Sequence, residues 1–221
     1  MAVSNGENIM IEIKPLDKLA ATIKLPGSKS YSQRALVIAA LTGGESCLKN
    51  VLVAEDTELI TAALRLLGAE ITRMGDDTIV KGTGGCIKNP GQPIFLGNNG
   101  TALRFLTSMA ALGEGRFVLT GSARLCERPV KPLLSALEAL GVAIRTDGNR
   151  GFPPLEIDAH GIEGGAVVFH NVESSQYVSS LLISAPYARG DVRIELTGRT
   201  VSRPYIEMTV EAMRCFGIEV G

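Results

Sequence analysis

The chain has 221 residues, 45% of them hydrophobic and 20% charged, with a net charge of −1. This composition supplies a core for one sizeable domain or two small ones and excludes a disordered chain. A near-zero charge also excludes a global field that would draw nucleic acid or an anionic membrane surface, so any anion site must come from local placement of Lys and Arg.

The first residues carry Glu7 and Glu12 and no basic start, which does not read as a signal peptide. Residues 27–34, Gly-Ser-Lys-Ser-Tyr-Ser-Gln-Arg, form a small, donor-rich stretch that runs into an apolar helix over 35–41 and stops at Gly43-Gly44. That helix is the longest apolar run and is too short to span a bilayer. A strand is expected over 47–53, then Glu55-Asp56 and a second helix whose end is Gly68, then strands joined at Gly75-Asp76-Asp77.

The same order returns twice. Residues 97–104, Gly-Asn-Asn-Gly-Thr-Ala-Leu-Arg, lead into a helix ending at Gly113. A strand over 117–121 ends in Leu-Thr-Gly, Arg128-Pro129 follows, and a second helix stops at Gly141 before a hairpin at 147–149. Residues 173–176, Glu-Ser-Ser-Gln, open a helix over 177–185. A strand over 194–198 again ends in Leu-Thr-Gly, Arg203-Pro204 follows, and the helix after it stops at Gly217, with a closing strand expected beyond. The stop glycines are 73 and 76 residues apart. A period of this length marks three copies of one unit, hence a pseudo-threefold domain. The first helix of each unit is apolar nearly all round, so it belongs inside, with the sheets outside.

Donors gather at the starts of these buried helices, where free N–H groups and the helix dipole favour anions. If the starts converge, Lys29, Arg34, Arg104, Arg124, Arg128 and Arg203 crowd one face, as a polyanionic small molecule would require. Each piece also has a plain reading. Ser28, Ser30 and Ser174 serve equally as N-caps, Arg-Pro as a helix start, and Gly97–Gly100 as a turn. Recurrence in three registers favours the site.

Cys47, Cys86, Cys126 and Cys215 include no C-x-x-C pair, and His160 and His170 stand beside no cysteine pair. No metal site is expected, and a reduced cytoplasmic setting fits.

Residues 25–30 (Leu-Pro-Gly-Ser-Lys-Ser) with Arg34, 96–101 (Leu-Gly-Asn-Asn-Gly-Thr) with Arg104, Glu127-Arg128-Pro129, Ser174-Ser175-Gln176 and Ser202-Arg203-Pro204-Tyr205 resemble the motifs of the 5-enolpyruvylshikimate-3-phosphate synthase family, in its order and from about residue 11 onward. The resemblance implies the inside-out α/β enolpyruvyl transferase fold: two similar domains, each of three strand-helix repeats with buried helices and outer sheets. It implies transfer of the enolpyruvyl group of phosphoenolpyruvate to the 5-hydroxyl of shikimate 3-phosphate, with release of phosphate and without cofactor or metal, as a step toward chorismate and the aromatic amino acids. Glyphosate-type inhibitors act on that family. Residues 21–221 are then one domain of three repeats (about 21–84, 85–162 and 163–221), while 1–20, with a first strand expected around 10–14, belong with a second, C-terminal domain.

Carried over motif by motif, Lys29 touches both substrates and acts in catalysis. Ser30 and Arg34 hold the shikimate ring and carboxylate. Ser174, Ser175 and Ser202 bind the 3-phosphate, with Gln176 and Tyr205 against the ring. Gly100 and Arg128 hold phosphoenolpyruvate, and Asn98, Thr101 and Arg104 surround them. Two positions depart from the family's pattern. Phe105 stands where many members have Pro, which bears on the phosphoenolpyruvate pocket and on inhibitor tolerance. Cys126 stands where members often have Lys, either as a loop thiol or as a thiolate favoured by neighbouring positive charge.

The family's remaining acid and base groups lie on the other domain. The chain therefore reads as the substrate-binding half, a separate domain, fragment or split-gene product without turnover by itself. Two alternatives stand beside this: a non-catalytic shikimate-phosphate-binding module, and the related UDP-N-acetylglucosamine enolpyruvyl transferase. The latter expects a cysteine five residues before the Arg of Arg-Pro, where this chain has Ala123.

Overall fold

A computed structural model describes residues 14–15, 17–146, 148 and 151–221. The strand expected over 10–14 lies outside the described residues except for Lys14, and the expected turn at 147–149 is described only at Gly148.

The first part of the fold contains α1 (Lys29–Leu41), β1 (Glu45–Lys49), α2 (Glu55–Leu66), β2 (Glu70–Met74) and β3 (Asp77–Lys81). The second contains β4 (Ile94–Phe95), α3 (Gly100–Ala111), β5 (Glu114–Thr120), the one-turn α4 (Ala123–Cys126), α5 (Lys131–Ala139), β6 (Ala143–Thr146) and β7 (Leu155–His160). The third contains β8 (Gly165–Val172), α6 (Ser175–Ser184) with a 3-10 turn over Ala185–Tyr187, β9 (Val192–Thr200) and α7 (Pro204–Cys215).

The helices α1, α3 and α6 form the interior, as their uniform apolarity requires. Leu36, Val37, Ala39, Ala40 and Leu41 are fully buried in α1, as are Leu103, Leu106, Met109 and Ala110 in α3. α3 packs on α6, and α1 packs on α3 and α7. Three sheets lie outside, in the orders β1-β3-β2, β4-β5-β7-β6 and β8-β9. The amphipathic α2 buries Thr57, Ile60, Ala63 and Leu64 at helical spacing, and its first turn carries Glu55, Asp56 and Glu58, the favourable sign for that end of a helix.

Helix ends follow the sequence closely. Gly68, Gly141 and Gly217 have φ of +108°, +88° and +77°, the left-handed conformation that ends a helix and that a Cβ disfavours. Gly27 answers a different demand: a Cβ there would lie 2.1 Å from the carbonyl oxygen of Asn50, so only glycine lets the chain enter α1 at this point.

Three expectations are corrected. β1 stops at Lys49 rather than Val53, because Asn50 turns the chain with φ +54°. The strand that opens each unit appears as β4 and β8, but among the described residues ahead of α1 there is none, and Leu19, Ile23 and Leu25 there are 79%, 75% and 74% exposed. Residues 218–221 are not a strand despite their alternation, because among the described residues no neighbouring strand pairs with them.

Candidate functional site

Each buried helix begins with a polar cap. Ser28 caps α1, its hydroxyl accepting from the Tyr31 amide at 3.5 Å, and Asn99 caps α3, accepting from the Ala102 amide at 2.9 Å. Ser174 caps α6 by accepting from the Gln176 amide at 3.4 Å. Capping satisfies one amide at each end and leaves others free for a ligand.

These three ends meet at one pocket of about 380 Å3. Its wall includes Lys29 from α1, Gly100 and Thr101 from α3, Gln176 from α6, and Asn98 and Arg128 from the connecting loops. Six candidate residues drawn from four separate motifs are thus brought together, with the positive ends of three helix dipoles around them. Gly100 matters sterically: a Cβ there would stand 2.8 Å from the Arg128 guanidinium and 2.9 Å from that of Arg104. Its backbone is left bare toward the pocket.

Lys29 Nζ lies 2.9 Å from the Asp56 carboxylate, and Asn99 Nδ2 donates to the Asp56 carbonyl oxygen at 2.8 Å. Asp56 and Asn99 were not among the candidates. The signal for Asn99 lay in its position, immediately before the first helical residue of α3. For Asp56 it lay in the acidic start of α2, which sequence alone reads as dipole chemistry.

Arg104 is 9% exposed and knits α3 to α6. It donates to Gln176 Oε1 at 2.7 Å and to the Gly100 carbonyl at 3.1 Å, and lies 5.3 Å from the Tyr177 ring centre. Gln176 in turn donates to the Thr101 hydroxyl at 3.1 Å. Thr101, Arg104 and Gln176 are therefore one network, which fixes the wall of the pocket.

Arg34 sits deeper still, 2% exposed. Its guanidinium donates to Thr209 Oγ1 at 2.7 Å, to the Ser30 carbonyl at 3.0 Å, and to Ser179 Oγ and the Tyr205 carbonyl at 3.3 Å each. Burial lowers its pKa to about 10, so it keeps its charge at neutral pH. It is flanked by the rings of Phe105 at 5.3 Å and Tyr205 at 5.7 Å. Ser30, Arg34 and Tyr205 are thereby joined. Ser179 and Thr209 complete the cradle; Thr209 lies 175 residues from Arg34, a distance no local pattern bridges.

Phe105 packs under Arg34 and does not line the pocket of Lys29 and Gly100. Cys126 closes the short helix α4 rather than lying in a loop, its thiol 3.9 Å from the Gly121 carbonyl. Ser175 is buried, Ser174 half-buried and Ser202 exposed, with Ser202 at φ +59° just before α7. The six cations have different surroundings. Lys29 and Arg128 line the pocket, Arg34 and Arg104 point into internal networks, and Arg203 pairs with Glu207 at 3.4 Å. Arg124 is exposed on α4. Among the described residues no three His, Cys, Asp or Glu side chains gather as a metal site, and no helix is long and apolar enough to cross a membrane.

The profile of the family described as EPSP synthase (3-phosphoshikimate 1-carboxyvinyltransferase) matches residues 13–221. A 3-phosphoshikimate 1-carboxyvinyltransferase of Sulfurovum sp. (strain NBC37-1) is 45% identical over 214 residues, 95% of this chain and 50% of that protein. One from Shewanella halifaxensis (strain HAW-EB4) is 42% identical with the same coverage. The chain thus spans about half the length of the curated relatives it matches. Among solved structures, EPSP synthase from Acinetobacter baumannii superposes with a TM-score of 0.79 at 27% identity, covering 90% of this chain and 44% of that one.

Proposed function

Because this chain belongs to the EPSP synthase family, we propose that it is the shikimate 3-phosphate-binding half of an enzyme that transfers the enolpyruvyl group of phosphoenolpyruvate to the 5-hydroxyl of shikimate 3-phosphate. The observation that carries this reading is the convergence of three helix N-termini on one pocket walled by Lys29 and Arg128.

In the proposed reaction the 5-hydroxyl oxygen adds to C2 of phosphoenolpyruvate and gives up its proton to a base, while C3 takes a proton from an acid. The tetrahedral adduct then loses a proton from its C3 methyl group to a base, re-forming the C2–C3 double bond as the C2–O bond to phosphate breaks. On this half, Lys29 and Arg128 neutralise the phosphate and carboxylate of phosphoenolpyruvate, and the Gly100 amide donates to it. Lys29 also balances charge as the bonds to C2 form and break. Ser174, Ser175 and Ser202 take the 3-phosphate, Gln176 and Tyr205 face the ring, and Ser30 and Arg34 take the carboxylate. Four Arg34 N–H bonds already go to protein, so the ligand meets its one remaining N–H. Asn98, Thr101 and Arg104 shape the wall. Residues 21–221 act as one domain, and 1–20 pack with the half that this chain does not span. The setting is cytoplasmic, supported by four free cysteines.

Catalysis in a cleft needs water excluded from both sides. These 221 residues by themselves are therefore proposed to bind shikimate 3-phosphate weakly without turnover. A phosphate-release assay with both substrates tests this: no release is expected, and Lys29→Ala weakens ligand binding. Phosphate release by the 221-residue chain alone contradicts the binding-only reading.

A further inference from the structure

The three buried helices do not share one kind of cap. Capping needs only a side-chain oxygen that accepts from an amide of the first turn, so Ser, Asp and Asn serve about equally well. Ser28 and Ser174 cap α1 and α6 with a hydroxyl. α3 uses an amide instead. Asn99 Oδ1 accepts from the Ala102 amide at 2.9 Å, which is the capping bond, and its Nδ2 is left over as a donor. That donor does not face water. Asn99 is 2% exposed, and Nδ2 donates to the Asp56 carbonyl oxygen at 2.8 Å. This second bond spans 43 residues and joins the first turn of α2 to the first turn of α3.

Both ends of this tie carry groups of the pocket. On the α3 side Gly100 follows Asn99 directly and borders Arg128. On the α2 side the Asp56 carboxylate lies 2.9 Å from Lys29 Nζ, and among the described residues it is the one hydrogen-bond partner of that ammonium. The Lys29 side chain is 55% exposed, so nothing but this pair fixes the end of its flexible stem. The start of α2 has no side-chain cap of its own at Ala54. Its other contact with the loop before α3 is apolar, Leu59 against Gly97, where a Cβ would stand 2.7 Å from Leu59 Cδ1. An apolar contact is non-directional and lets a helix end slide, whereas a hydrogen bond sets one register.

We propose that Asn99 is a positioning residue: by holding the Asp56 backbone against the α3 N-terminus, it sets where the Asp56 carboxylate, and through it the Lys29 ammonium, stands relative to the Gly100 amide and Arg128. The role rests on the reading of this pocket as the phosphoenolpyruvate subsite. Asn99 itself transfers no proton and neutralises no charge. It acts through two bonds in series, Asn99 to Asp56 and Asp56 to Lys29, so the ammonium is placed before the ligand arrives. A long side chain ordered in advance loses less rotamer freedom on binding. The choice of Asn over Ser at this cap follows from the need for a donor as well as an acceptor.

Asn99→Ser separates the two bonds, because serine caps a helix start but is too short to reach the Asp56 carbonyl as well. The 15N-labelled 221-residue chain is titrated with phosphoenolpyruvate and followed by amide shifts, with urea unfolding run in parallel. The parent should bind saturably. Asn99→Ser should bind about fivefold more weakly, with an unfolding midpoint close to the parent's. Asp56→Asn keeps the carbonyl that Asn99 holds and cuts the ion pair to Lys29; in that background Asn99→Ser should change affinity by less than about twofold. An equal loss in both backgrounds, or no loss in the parent, overturns the role of Asn99 and leaves the reading of the pocket standing. No binding of phosphoenolpyruvate by the parent overturns that reading and the role with it. Asn99→Thr repeats the measurement if the serine variant does not fold, and failure of both to fold makes Asn99 a purely structural residue and overturns the proposal.

Discussion

A methyl group at Gly100 would stand 2.8 Å from the Arg128 guanidinium and 2.9 Å from that of Arg104, on the pocket side of the α3 N-terminus. Both are ends of flexible side chains, so the fold adjusts by moving an arginine out of place. Alanine also favours a helix over glycine by about 1 kcal/mol. Gly100→Ala is therefore expected to fold as stably as the parent while binding phosphoenolpyruvate about tenfold more weakly, roughly 1.4 kcal/mol, by calorimetry. Arg34 behaves differently because it is a structural residue as well. Replacing it with alanine removes its four hydrogen bonds, to Thr209, Ser30, Ser179 and Tyr205, and opens a hole between Phe105 and Tyr205. A stability loss of about 2–3 kcal/mol in urea unfolding is expected along with weaker shikimate 3-phosphate binding. The motifs announced Arg34 as a ligand residue, but its buried cradle of Ser179 and Thr209 was invisible, since those partners come from two other helices.

The stop glycines and polar caps of the helices were legible because each is a local requirement written in one or two residues. Gly68, Gly141 and Gly217 all hold positive φ, as their places after apolar helices demand. Gly141→Ala should lower stability by about 1–2 kcal/mol through left-handed strain, with ligand affinity unchanged, because the residue is far along α5 from the pocket. A thermal melt paired with a binding titration checks this, and a coupled loss of affinity would place strain at Gly141 inside the site. Strands were less legible than helices. The alternation of 218–220 is that of β6, yet a strand exists only where a neighbour pairs with it, and that neighbour is no property of the segment. The same reason separates 19–25, apolar but exposed, from β4.

For the molecule as a whole, the three-unit pattern gave both the buried helices and the convergence of their N-termini, because one repeated requirement, an apolar helix with a donor-rich start, admits few arrangements. What it did not give was the division of labour among the cations. Two face the pocket and two brace its walls, a choice set by packing between units. The central claim is that this pocket and the adjoining Arg34 cradle serve shikimate 3-phosphate. Calorimetric titration of the chain with shikimate 3-phosphate and, separately, with UDP-N-acetylglucosamine tests it most directly. Saturable binding of shikimate 3-phosphate with none of the nucleotide sugar is the predicted result; preference for the nucleotide sugar, or binding of neither, would contradict the account.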